Sequence, residues 1–165
     1  MILWINGSFG VGKTTIAEEL NKATNDSFLY DPEKIGALLR DNLRYNYDDF
    51  QDYYLWRKIN FEILLDLSKH YEMIIVPMTL TNIDYYNEII NELIKKGIEV
   101  KHIILTASKE TIFDRLDKRE DATPWAYEQV DRCIKAFNED IQGEKIVTDN
   151  KNINEVVQQI LEIIS

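Results

Sequence analysis

The 165-residue sequence predicts one α/β domain, spanning 1–165, with a parallel sheet covered by helices on both faces. Three observations predict it. Short apolar runs rich in strand formers alternate with longer segments whose apolar residues recur near every 3.6 positions. The chain is long enough to bury one sizeable core and too short for a second domain of ordinary size. Its composition, 45% hydrophobic and 29% charged, has the usual globular balance, and no repeat, low-complexity tract or linker interrupts it.

Taken in order, residues 2–5 (ILWI) read as a strand buried on both faces, followed by a glycine-rich turn and a helix over 13–23. Residues 28–30 form a second strand, and 34–43 and 49–70 two amphipathic helices. The third strand is 73–76. A helix over 85–96 closes on Lys95, Lys96 and Gly97, a basic last turn with a glycine stop. The fourth strand is 100–105, then helices cover 108–119 and 128–141, the fifth strand 145–147, and a final helix 153–164.

Charge and cysteine content remove whole classes of function. A net charge of −10 repels nucleic-acid backbones and anionic membranes at long range. A bound phosphate must then be held by a local concentration of donors, which makes each Arg and Lys near a candidate site informative. Cys133 is the only cysteine, so an internal disulfide is excluded and buried packing is the expected role. The start MILWINGSFG has neither a basic leader nor a long apolar stretch, and a cytoplasmic protein with no membrane span is expected.

The stretch GSFGVGKTT fits G-x-x-x-x-G-K-[ST] through Gly7, Gly12, Lys13 and Thr14. Gly7, Gly10 and Gly12 let consecutive N–H groups turn inward, while Ser8, Phe9 and Val11 complete the loop. The helix that follows presents its N-terminal dipole to an anion, with Thr15 in its first turn. Lys13 reaches the β- and γ-phosphates, and the Thr14 hydroxyl joins the coordination of Mg²⁺. A chance glycine turn would not sit between the first strand and the first helix. The loop is expected to hold ATP.

Candidates for the acceptor side follow from position. FLYDPE places Asp31 and Glu33 at the carboxyl end of the second strand, where open parallel sheets bind ligands. Asp31 is read as a general base or a holder of metal-bound water; the alternative is a turn residue before Pro32. The third strand ends IIVPMTLTN, giving Thr79, Thr81 and Asn82 where a motor ATPase wants an acid. In DFQDYYLWRKINF, Arg57 falls within the apolar face, so it needs a ligand or an acidic partner. Arg40 is a second acceptor candidate, and Trp56 points off the stripe toward a flat group. His70, His102 and Cys133 are mutually isolated, and no zinc site is expected.

Arg115 and Arg119 in FDRLDKRE project from one helix face, either as a solvated face paired with acids or as ligand contacts. R-L-x-x-R resembles the start of the lid in adenylate-kinase-like P-loop kinases. By that resemblance Arg115 packs on the adenine, Arg119 stabilises transition-state charge, and EDATPWAYE is a short lid. Asp149 in IVTDN then lies near the adenine; on the residues alone it is turn and capping chemistry.

The ordered set ILWINGSFGVGKTT, YDPEKIGALLR, DFQDYYLWR, IIVPMTLTN, RLDKR and VTDN is similar to the tunicamycin-resistance ATP-binding proteins of bacteria, within the P-loop small-molecule kinases. The resemblance implies a three-layer sandwich with a five-stranded sheet in the order 2-3-1-4-5, ATP with Mg²⁺, and resistance to a nucleoside antibiotic. Phosphorylation of a small-molecule hydroxyl and sequestration of the drug both remain open, as does an ordinary metabolite acceptor. Two departures are visible. VPMTLTN lacks the D-G-x-P-R motif of nucleoside monophosphate kinases, and Asp31-x-Glu33 stands where shikimate kinases carry D-x-D and a later glycine triplet.

Overall fold

The first strand, β1 (Ile2–Gly7), is buried at every position, which only a strand covered on both faces tolerates. In the computed structural model, which describes residues 1–44 and 47–165, β1 is the centre of a five-stranded sheet. Its neighbours are β3 (Met73–Pro77) and β4 (Val100–Thr106); β2 (Ser27–Leu29) lies outside β3, and β5 (Glu144–Val147) outside β4. The order is 2-3-1-4-5 and every pairing is parallel, as the sequence and its resemblance imply.

Side-chain alternation along β1 divides the core. Leu3 and Ile5 face one layer, where α1 (Lys13–Ala23) and α9 (Ile153–Ile164) contribute Ile16, Leu20, Val156 and Ile160. Ile2 and Trp4 face the other, filled by Leu39 of α2 (Glu33–Asn42), Trp56 and Leu64 of α3 (Tyr54–Leu67), and Ile89, Ile90 and Leu93. Beyond β4, α6 (Lys109–Asp117), α7 (Pro124–Glu128) and α8 (Val130–Glu139) carry two smaller clusters.

Three predicted helices are interrupted. Residues 49–70 split at Tyr53, which is extended. The Asp49 carboxylate accepts from the Gln51 N–H at 3.0 Å and caps a separate 3₁₀ turn, Phe50–Asp52. Phe50 packs on α2 at Gly36, where a Cβ would meet its ring at 2.6 Å. The helix over 83–95 is α4 (Ile83–Tyr86), a π-helical stretch Asn87–Asn91, and α5 (Glu92–Lys95). It stops at Gly97, φ 84°, as expected. The segment 128–141 starts earlier than predicted: Thr123 caps α7, with Pro124 in its first turn.

Beneath the sheet's carboxyl end lies a polar hub centred on the fully buried Asn6. The Asn6 carboxamide oxygen accepts from the N–H groups of Gly7 and Leu80, both at 2.9 Å, and its NH₂ donates to the Leu80 carbonyl. The same NH₂ lies 3.2 Å from His102 Nε2, and His102 Nδ1 lies 2.7 Å from the Gln142 carbonyl. A carbonyl only accepts, so Nδ1 carries the ring proton and Nε2 accepts from Asn6. Burial lowers the His102 pKa to about 4, against the weaker opposing pull of the Gln142 bond. His102 is therefore a neutral packing residue.

Candidate functional site

The loop between β1 and α1 is shaped by close approaches that a side chain would spoil. A Cβ on Gly7 (φ 143°) would meet the Leu105 carbonyl at 2.6 Å, and one on Gly10 (φ 77°) the Leu116 side chain at 2.8 Å. Three of the loop's carbonyls are held by side chains around it. Thr79 Oγ1 donates to Gly7 O at 2.8 Å, and Arg115 Nη1 to Val11 O at 3.0 Å. Lys13 Nζ donates to the carbonyls of Gly7 at 3.1 Å and Ser8 at 2.9 Å, with the ring of Phe9 beside it. The N–H groups opening α1 have no partner from a preceding turn, and Gly12, Lys13, Thr14 and Thr15 line an open cleft. That is a cradle for an anion of several oxygens.

The cleft, of about 810 Å³, runs past the loop in both directions. One end is walled by Arg115, Thr148, Lys151, Asn152 and Ile153, the other by Glu33, Asp49, Phe50, Gln51, Met78 and Thr79. Arg119, Asp121 and Trp125 lie on its rim, with Trp125 edge-on to Phe9 at 5.0 Å between centroids. Arg119 is 52% exposed and holds Asp121 with both Nε and Nη2, at 2.9 and 2.8 Å.

Electrostatics single out three groups facing this space. Burial lowers the Lys13 pKa to about 8; Glu33 pulls it up and Arg119 down. Desolvation, then the neighbouring Asp31 charge, holds the Glu33 carboxyl above its ordinary range even though the residue is exposed, because the cleft walls limit the water around it. Desolvation likewise raises Asp49, against the hydrogen bond from Gln51.

The structure brings together most of the predicted residues. Lys13, the loop from Phe9 to Thr15, Glu33, Thr79, Arg115 and Arg119 all line the cleft, and Gly7 and Ser8 form its floor through Lys13 and Thr79. Arg115 also donates to Thr148 through Nη1 and Nη2, so it ties α6 to the loop and to the end of β5.

Five candidates stand outside the lining. Asp31 accepts from the Glu33 N–H at 3.0 Å, the turn chemistry of its alternative reading. Arg57 donates to Glu88 at 2.7 Å and to the Gln51 carbonyl at 2.6 Å, with its guanidinium 4.1 Å from the Tyr85 ring centroid. This answers its need for an acidic partner without a ligand. Arg40 donates to the Asp48 carbonyl and lies over Phe50. Asp149 accepts from Ser108 and Thr111, bonds that lower its pKa and secure the start of α6. Trp56 is fully buried and donates to the Pro32 carbonyl, so it is core and not a platform.

Asp49, Gln51, Trp125 and Lys151 line the cleft without having been singled out. For Asp49 the signal was present: an Asp opening a short turn is a capping pattern. Gln51 carried none, because its Nε2 reaches the Thr79 carbonyl across 28 positions.

Comparison with known proteins fits this geometry. A family described as an AAA domain matches residues 2–143. A shikimate kinase of Flavobacterium johnsoniae is 26% identical over 169 residues, covering 96% of both chains. The solved tunicamycin resistance protein of Deinococcus radiodurans superposes with a TM-score of 0.84 at 26% identity, over 99% of this chain and 95% of that one. A gluconokinase from Sinorhizobium meliloti shares the fold at TM-score 0.68 and 13% identity, over 97% and 89%. The likeness to tunicamycin-resistance proteins within the P-loop kinases, drawn from sequence motifs, holds in three dimensions.

Proposed function

This chain belongs to the AAA-domain family, and on that premise we propose that it is an ATP-dependent phosphotransferase acting on a hydroxyl of a small molecule. The leading acceptor is a nucleoside or amino-sugar antibiotic of the tunicamycin kind, since the named activity of the Deinococcus protein is tunicamycin resistance. The observation that carries the reading is that one cleft is lined by the phosphate loop, Lys13, Arg119 and the carboxylates of Glu33 and Asp49.

The residues present fit a nucleotide. Gly7 and Gly10 let the loop close against Leu105 and Leu116, where a Cβ would collide, and Lys13 already points its ammonium at the loop. In this reading Gly7–Thr15 binds the triphosphate, Arg115 and the residues after β5 flank the base, and Thr14 holds Mg²⁺. Among the described residues no three His, Cys, Asp or Glu converge on a metal site, so the ion would rest on Thr14, the nucleotide and water. Bound Mg²⁺ would neutralise charge on the phosphates.

Glu33 takes the proton from the acceptor hydroxyl. Sequence alone favoured Asp31, but Glu33 lines the cleft while Asp31 supports the turn behind it. A raised carboxyl pKa suits a general base. Arg119 leaves Asp121 for the transferring phosphoryl group, and most of the rate enhancement comes from positioning and electrostatics. Residues 78–82, which follow β3, include no acid, which disfavours a motor ATPase. No helix among the described residues is long and apolar enough to cross a membrane, and we place the enzyme in the cytoplasm with its ATP.

A metabolite acceptor is the second reading, favoured by the shikimate kinase relative. The test is purified protein with MgATP and an acceptor panel led by tunicamycin and shikimate, products read by mass spectrometry, with Lys13→Ala as control. A phosphorylated acceptor that vanishes in the control supports the reading and names the class. Undiminished turnover in Lys13→Ala would overturn it. Drug binding without product, unchanged in Glu33→Gln, would point to sequestration.

A further inference from the structure

The acceptor end of the cleft is lined by acids, with Lys13 and Arg119 within electrostatic reach of one of them, Glu33. Its ionisable groups are Glu33 and Asp49, both acids, beside Phe50, Gln51, Met78 and Thr79. The cleft's cations, Lys13, Arg115, Arg119 and Lys151, belong to the phosphate loop, the rim and the opposite end.

The arginines nearest the acceptor end are committed elsewhere. Arg57 is held by Glu88 and the Gln51 carbonyl, and Arg40 by the Asp48 carbonyl. Arg132 donates Nε to Gln129 and Nη1 to Thr81, leaving Nη2 at 3.9 Å from Asp49 Oδ2. None of these three lines the cleft among the described residues.

The two acids, by contrast, have acceptor capacity to spare. Asp49 uses Oδ1 on the Gln51 N–H, and neither its Oδ2 nor the Glu33 carboxylate accepts a hydrogen bond from a described residue. Desolvation raises both carboxyls, so each gains from a donor that replaces lost water. An incoming anion would instead meet like charge: the cation beside Asp49, Arg132, already lies 3.9 Å from its carboxylate, and Lys13 and Arg119, which reach Glu33, are the cations this reading gives to the transferring phosphates.

We propose that the pair Glu33 and Asp49 selects an uncharged or cationic acceptor rich in hydroxyl or amino donors, such as a sugar, amino sugar or nucleoside, and rejects acceptors bearing a carboxylate or phosphate. Asp49 is the specificity-determining residue. This rests on the phosphotransferase reading above.

The test uses probes matched in all but charge: glucosamine, glucose and gluconate, and uridine against uridine monophosphate. Phosphorylated product is measured with MgATP, and binding of each probe is ranked separately by saturation-transfer NMR. The expected result is at least a tenfold preference for the uncharged or cationic member of each set. Asp49→Asn, which keeps the cap on Gln51 and so the local fold, should narrow that gap severalfold, and Glu33→Gln should narrow it in the binding assay. Gluconate or uridine monophosphate used as well as its uncharged partner overturns the inference, as does an unchanged gap in Asp49→Asn. No product from any probe while NMR still ranks the uncharged ones first would remove phosphotransfer and keep the charge selection. Absence of binding in every charge class overturns the acceptor site itself.

Discussion

Lys13 offers the most quantitative handle on the proposed nucleotide site. With a pKa of about 8, set first by burial, its ammonium is partly neutral at the pH where most nucleotide binding is measured. A triphosphate in the cradle favours the charged form, so binding restores the lost proton. The uptake equals the neutral fraction of the free protein: about a tenth of a proton at pH 7, half at pH 8 and nine-tenths at pH 9. Affinity should hold up to pH 8 and then fall about tenfold per pH unit, by as much as about 3 kcal/mol as the ordinary lysine range is approached. Isothermal titration of an ATP analogue in buffers of different ionisation enthalpy reads the uptake directly. Working above about pH 7.5 keeps clear of the phosphate's own last proton, near pH 6 for a phosphate ester. Lys13→Ala should bind weakly with no uptake. Affinity that stays level from pH 7 to 10 with no proton taken up would refute the reasoning.

Three further outcomes are expected. Gly7→Ala forces a Cβ to within 2.6 Å of the Leu105 carbonyl at a positive φ, and should cost on the order of 2 kcal/mol in urea unfolding and abolish nucleotide binding. His102 titrates near 4 folded and near 6.5 unfolded; the unfolded chain binds more protons between those values, so stability falls as pH drops through that window. The loss is about 3 kcal/mol, and a His102→Gln protein should show a flatter acid limb in denaturant melts from pH 7 to 4. Arg57→Met leaves the buried Gln51 carbonyl without its donor and Glu88 without its partner. It should cost about 1–3 kcal/mol in the same assay, while ATP affinity, governed by the loop, changes less than twofold.

The strands were legible because β1 and β3 are nearly unbroken apolar runs and β4 holds one at 103–105, while their order came from the family resemblance. Helices α1 and α9 matched to the residue, since a glycine loop fixes the start of one and Asn152 with Glu155 forms a capping box on the other. The break at Tyr53 was hidden, because apolar periodicity runs on through it while the local cap at Asp49 ends the turn. In the site, the cradle was legible from spacing because its chemistry belongs to the backbone. Asp31 and Glu33 were legible as a pair but not in their division of labour, which depends on which of two neighbouring side chains turns toward the cleft. Arg57 was correctly marked as a buried charge in need of a partner, but Glu88 lies 31 positions away on a helix whose π turn no periodicity announces.

The framework around the cleft is joined mostly from side chain to main chain. Trp4 donates to the Met78 carbonyl, Trp56 to Pro32, Gln51 to Thr79, Thr79 to Gly7, Arg57 to Gln51 and Arg115 to Val11. A carbonyl is present whatever residue occupies its position, so the polymer itself guarantees one half of each joint. Drift is therefore lopsided in this fold. The donor positions resist replacement singly, whereas Pro32, Met78 and Val11 serve these joints through a backbone carbonyl alone. Related chains can accordingly diverge far in sequence, along paths of single independent substitutions, while the same cleft stays assembled.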